Sequence, residues 1–210
     1  MTTALARLKD GYTKGARGAA SRLMSGLADS WITPNKLTAA GVTLCLAAAV
    51  LVWFEQDGEL LFFWTGAIVF IVGSVLDILD GALARRGGKG TPFGAFIDST
   101  MDRVGEAAML AAIALVFHRD DKELALAAAF AALAGSFLVS YTRSKAEGLG
   151  LKGDVGIGSR AERVTLITAG LVLAPWGALP WAIYLLAAMV WVTVAQRIFS
   201  VRAQLRARRP

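Results

Sequence analysis

Residues 77–102 read DILDGALARRGGKGTPFGAFIDSTMD, and the four aspartates interrupt what would otherwise be two uniformly apolar stretches. Asp77 and Asp80 are three residues apart and Asp98 and Asp102 four, so on helices each pair projects from one face. The glycines and Pro92 between the pairs mark a turn. Two antiparallel helices joined there would aim all four carboxylates into one pocket. Ionisable residues within membrane spans are expensive and mark function by default, and carboxylates crowded at low dielectric cannot all stay ionised without compensating positive charge. Pairing with Arg85 or Arg103 would satisfy one or two of them, whereas divalent metal would satisfy the set. An all-oxygen site suits Mg2+ or Mn2+; with His118 and Cys45 as the softer ligands on offer, zinc fits poorly. Two such ions side by side would clamp a pyrophosphate for an in-line displacement. Gly81 and Ala84, at the same helix end, lack bulk and would let a nucleotide approach the backbone.

The surrounding chain supplies the membrane. It has 210 residues, 56% of them hydrophobic. A hydrocarbon core about 30 Å thick takes roughly 20 apolar residues per helix, which leaves room for about six spans with short loops. They are expected at 37–54, 60–85, 93–118 and 122–145, with a final hairpin over the uncharged stretch between Arg163 and Arg197, split by PWGALPW at 175–181. The fold class is therefore an all-α integral membrane protein, a single domain over 1–210. Residues 1–30 form an amphipathic interfacial helix and 31–210 a six-helix transmembrane core. Basic residues are dispersed over 1–30 with no apolar central run, so that segment reads as retained rather than as a signal peptide. Cys45, mid-span, reads as a small packing residue.

Charge distribution orients the chain. Of 22 Lys and Arg, all but Arg119 and Lys122 fall on one side of a six-span layout, and the loops opposite carry Glu55, Asp57, Glu59, Asp120, Asp121 and Glu123. The positive-inside bias puts both termini and the aspartate-bearing helix ends on the cytoplasmic side of the plasma membrane. The net charge of +6 thus reflects anchoring to anionic membrane lipids, not nucleic acid. Trp53, Trp64, Trp176 and Trp181 read as belt aromatics near span ends, and His118 as an interfacial residue away from the acids. A proton or ion pathway would spread acids through the membrane depth; these are bunched at one end.

The run Asp77-x2-Asp80-Gly81-x2-Ala84-Arg85-x8-Gly94-x3-Asp98-x3-Asp102 resembles, without a gap, the signature of the CDP-alcohol phosphotransferases. The resemblance implies a di-metal enzyme with two Mg2+ or Mn2+ ions on Asp77, Asp80, Asp98 and Asp102. It moves a substituted phosphate from a CDP-linked alcohol, here CDP-diacylglycerol, to an acceptor hydroxyl and releases CMP. Asp102 resembles the residue that also deprotonates that hydroxyl. CDP contacts are implied for Asn35, Asp80, Gly81, Ala84, Arg85, Thr91 and Gly94, with Pro34 and Asn35 in an element that closes over the nucleotide. A homodimer is also implied.

A second block, Tyr141-x-Arg143-x-Lys145-Ala146-Glu147 with Arg160-x-x-Arg163, resembles the phosphatidylinositol-phosphate synthase branch and its archaeal relatives. The implied acceptor is a phosphorylated polyol, inositol 1-phosphate, with its phosphate held by Arg143, Arg163 and Arg197. Ser159 stands where that branch carries Glu. Guanidinium forks suit phosphate oxygens, and the glycine-rich loop between Arg143 and Arg163 reads as an anion-binding nest. Glu106 either supports Asp102 or pairs with Arg103, and is left outside the site. Rival acceptors are glycerol 3-phosphate, serine and free inositol. More distant rivals are an intramembrane prenyltransferase, whose acidic motifs lie farther apart, and a transporter.

Overall fold

The computed structural model describes residues 33–86 and 91–208. The expected interfacial helix of 1–30 lies outside the described residues, as do the turn residues 87–90. Within them the regular elements are helical: α1 Pro34–Trp53, α2 Glu59–Arg86, α3 Pro92–Arg119, α4 Glu123–Gly148, α5 Arg160–Val172 and α6 Leu179–Ala207, with single 3-10 turns at Glu55–Asp57 and Ala174–Trp176.

Helix boundaries follow from local chemistry. Thr33 and Thr91 are extended, as residues before proline prefer, and Pro34 and Pro92 open α1 and α3 where a missing N–H does no harm. Thr91 also caps α3, its hydroxyl accepting the Gly94 N–H at 2.9 Å. Gly177, at φ 75°, turns the chain between α5 and α6 in a left-handed conformation that glycine takes without strain.

Four helices are long and apolar enough to cross a membrane: α1 from Asn35, α2 as far as Asp77, α4 and α6. The other two are less apolar or shorter. α3 carries Asp98, Asp102, Arg103 and Glu106 in its first half. α5 has 13 residues, a rise of about 20 Å against a core of about 30 Å. The expected final hairpin is therefore asymmetric, a short α5 followed by the 29-residue α6.

Packing also departs from a simple hairpin of α2 and α3. These consecutive helices touch little; α1 packs closely on both, while α4 packs on α6 and α3, and α5 bridges α2 and α6. Small residues permit the fit. A Cβ at Gly41 would sit 2.9 Å from the Gly73 carbonyl oxygen, and one at Gly73 2.8 Å from that of Gly41. At Gly105 it would sit 2.9 Å from the Cβ of Cys45, so Cys45 is the small packing residue expected between α1 and α3. In lipid, where burial of apolar surface supplies no drive between helices, such close backbone approach is what holds them. The Gly41 position also lies 3.5 Å from the Asp77 Cβ, so this contact sets the depth of the first aspartate.

The second half of α3, with Met109, Leu110, Ile113 and Phe117 buried, is the centre of the bundle. Leu61, Ile68, Val75, Phe130 and Phe199 face outward, as a lipid-contacting surface requires. Trp53, Trp64, Trp176 and Trp181 are exposed at the end away from the aspartates. There Arg119 and Lys122, the two basic residues on the acidic side, are accounted for. Arg119 pairs with the buried Glu55 and lies 4.5 Å over the Trp53 ring, and Lys122 pairs with Asp120 at 2.8 Å.

Candidate active site

The site forms where α2 ends and α3 and α5 begin, with α1 alongside. Asp77, Asp98 and Asp102 each present a carboxylate oxygen within 4.8 Å of the others. Helical spacing puts Asp98 and Asp102 on one face of α3, and the wedge of α1 brings that face opposite Asp77. Asp80 is not one of this trio. It is buried, and its carboxylate accepts a hydrogen bond from the Thr38 hydroxyl of α1. Gly81, Ala84 and Arg85 follow on the last turns of α2, where only the backbone is described. Asn35 and Thr91 come together at the mouth: a Cβ on Gly94 would sit 3.4 Å from the Asn35 Oδ1 and 3.1 Å from the Thr91 Oγ1.

Arg160, read from the sequence only as part of a basic block, enters the acidic pocket. It is the first residue of α5, and its Nη1 pairs with Asp77 and lies 2.6 Å from Asp102 Oδ1. Asp77 is nearly closed off at 7% exposure, whereas the Asp102 side chain keeps 22% and is open to a reactant. Three hard oxygen donors this close, already drawing in a cation, have the chemistry of a divalent-metal site.

Glu106 does not pair with Arg103, as one of its two expected readings had it. It holds Arg163 of α5 in a buried two-pronged pair, Nε to Oε1 at 2.7 Å and Nη2 to Oε2 at 2.8 Å, while Nη1 donates to the Gly158 carbonyl at 3.0 Å. Arg103 turns back to the Ser99 carbonyl on its own helix. Arg197 is buried and donates to the carbonyls of Val155, at 2.9 Å, and Val139. Arg143 is exposed and pairs with Glu147 at 2.9 Å. Of the three arginines expected at the acceptor phosphate, Arg143 and Arg163 each lie close enough to Arg197 to act on its charge.

The glycine-rich loop is stitched to α6 rather than held open as a nest. Gly158 N–H donates to Thr193 at 2.9 Å, the Lys152 N–H to Gln204 at 2.9 Å, and the Lys152 carbonyl accepts from Gln204 at 3.0 Å. At its end Ser159 stands at the N-cap position of α5 without a side-chain cap bond, and its hydroxyl donates instead to the Glu162 carboxylate.

A helical membrane domain with a hard-cation pocket beside an arginine cluster is the architecture of an enzyme for phosphorylated lipid precursors. The CDP-alcohol phosphatidyltransferase family model matches residues 31–203, and the chain belongs to that family. It is a transferase and a multi-pass membrane protein. The chain is 38% identical over 179 residues to the phosphatidylinositol phosphate synthase of Mycolicibacterium smegmatis, covering 81% of this chain and 78% of the relative. It is 37% identical over 189 residues to the archaetidylinositol phosphate synthase of Pyrococcus horikoshii, covering 88% and 91%. The crystal structure of the Mycobacterium tuberculosis phosphatidylinositol phosphate synthase with CDP-DAG bound is similar at a TM-score of 0.75 and 31% identity, covering 87% of this chain and 92% of that one. A second crystal structure of that enzyme, in complex with manganese and citrate, is similar to the same degree, with a TM-score of 0.75.

Proposed function

We propose that this protein transfers the phosphatidyl group of CDP-diacylglycerol to inositol 1-phosphate, forming phosphatidylinositol phosphate and CMP. The observation that carries the proposal is the convergence of Asp77, Asp98 and Asp102 within 4.8 Å, beside an arginine cluster able to hold an acceptor that carries its own phosphate. Serine and free inositol carry no phosphate for those guanidinium groups to hold.

In this reading Asp77, Asp80, Asp98 and Asp102 hold two Mg2+ or Mn2+ ions, Thr38 orienting Asp80. Ions held there would supply positive charge against the donor pyrophosphate and the departing CMP. Asn35, Asp80, Gly81, Ala84, Arg85, Thr91 and Gly94 form the CDP site; the contact of Asn35 with Gly94 and Thr91 supports their acting together. Asp102, whose side chain is partly exposed, takes the proton of the acceptor hydroxyl. That oxygen bonds to the phosphorus bearing diacylglycerol as the bond to CMP breaks.

Arg143, Arg163 and Arg197 hold the acceptor phosphate. Arg163 spends three of its N–H donors on Glu106 and Gly158, which fix its plane, and a guanidinium has about five to offer. The acyl chains stay in lipid while the reaction proceeds at the cytoplasmic interface of the plasma membrane. We infer one domain of six transmembrane helices, α3 and α5 lining the site, preceded by an interfacial helix and assembled as a homodimer.

The test is CMP release by the purified protein with CDP-diacylglycerol and Mg2+, comparing inositol 1-phosphate, free inositol, glycerol 3-phosphate and serine. Release with inositol 1-phosphate alone is expected. Equal release with free inositol or glycerol 3-phosphate would sink the acceptor assignment and leave the aspartate chemistry standing.

A further inference from the structure

We propose that Arg160 is a built-in counter-ion of the acidic pocket which a divalent cation must displace in order to bind. This rests on the reading of the aspartates as a metal site, but not on the identity of the acceptor. Arg160 Nη1 sits between Asp77 and Asp102, pairing with the first and 2.6 Å from the second. Those are two of the three carboxylates that converge within 4.8 Å, so the guanidinium occupies space a bridging cation would share.

Position argues that these carboxylates are what hold it. Arg160 is the first residue of α5, where the positive end of the helix dipole disfavours a cation. Arg163, another cation, lies one turn on. Both influences push Arg160 away, and the carboxylates pull it in. One guanidinium offsets a single negative charge, whereas the two carboxylates it bridges carry two, so a doubly charged ion is the stronger partner for the same oxygens.

The side chain is also free to leave. It is 26% exposed, attached at a helix terminus, and preceded by an extended residue, Ser159, after the glycines of the loop. Arg163, by contrast, is locked by three hydrogen bonds and cannot serve this purpose. Arg160 thus steadies the pocket before metal arrives and sets the threshold for loading.

The experiment is a Mn2+ titration of the full-length protein in detergent, without donor or acceptor, following free Mn2+ by electron paramagnetic resonance. Thermal unfolding in EDTA and in Mn2+ runs alongside. Arg160→Gln should tighten Mn2+ binding by about tenfold or more, equivalent to about 1.4 kcal/mol. It should also lower the unfolding temperature in EDTA and widen the rise that Mn2+ produces. Arg160→Lys, which keeps the charge but not the fork, should fall between, and serves if the glutamine variant does not fold.

Arg103→Gln separates displacement from general electrostatics. Arg103 also acts on Asp102 but is turned to the Ser99 carbonyl, so its loss should change affinity far less. Equal tightening in Arg103→Gln and Arg160→Gln, or unchanged or weaker Mn2+ binding in Arg160→Gln, would overturn the proposal. Absence of Mn2+ binding in the unmodified protein would remove the metal reading itself. A shift as expected, in a protein that rejects inositol 1-phosphate, would leave this inference intact and fail only the acceptor.

Discussion

The two ends of the bundle each bury an acid against an arginine, and they use it differently. At the tryptophan-rich end Glu55 meets Arg119 one to one, and Arg119 also lies over the Trp53 ring. At the other end Asp77, Asp98 and Asp102 crowd together and one Arg160 is shared between two of them. Charges matched one to one fasten a loop; carboxylates gathered beyond what a single guanidinium can balance make a site that draws in a cation. Between these extremes lies Glu106 with Arg163, matched one to one but at the site end, where it fixes the plane of the arginine.

The widest separation between the ends should come from Asp102→Asn. CMP release is expected to fall by about 10²- to 10⁴-fold, the range for losing a general base, with binding of CDP-diacylglycerol retained. Near-normal turnover would mean that another group takes the proton. Next in size, Glu106→Ala leaves the buried Arg163 charge without its partner and should cost about 3 to 5 kcal/mol of stability. Glu55→Ala at the far end, where Arg119 keeps Trp53 and reaches water, should cost about 1.5 kcal/mol. Thermal unfolding of the two variants side by side checks this, and equal losses would erase the distinction between them. Smaller again, Thr38→Val removes the hydroxyl that orients Asp80 and should weaken Mn2+ binding by about 10- to 100-fold, read by the same titration. An unchanged affinity would show that Asp80 needs no orienting partner.

What the sequence made legible was local. The aspartate spacing is a helix period, so the two pairs could be read from residues 77–102 alone, and the apolar runs before Asp77 and after Glu123 located spans by length. What escaped was tertiary. Thr38 meets Asp80 across 42 residues and Glu106 meets Arg163 across 57, pairings that no periodicity announces. Arg160 looked like one cation in a basic block because its destination depends on where α5 begins. The break in the uncharged run was legible, since Gly177 lies within PWGALPW at 175–181 and α5 ends just before it. The wedge of α1 between α2 and α3 was hinted at only by Gly41, Gly73 and Gly105, whose close approaches are visible once the helices are placed.

The proposed reaction requires metal and phosphorus chemistry to meet in the aspartate pocket. The direct measurement is CMP release from CDP-diacylglycerol with inositol 1-phosphate, first in EDTA and then with Mg2+ restored, on the unmodified protein and on Asp98→Asn. No release in EDTA, recovery with Mg2+ and no recovery in Asp98→Asn is the expected pattern. Sustained release in EDTA, or full recovery in Asp98→Asn, would contradict it.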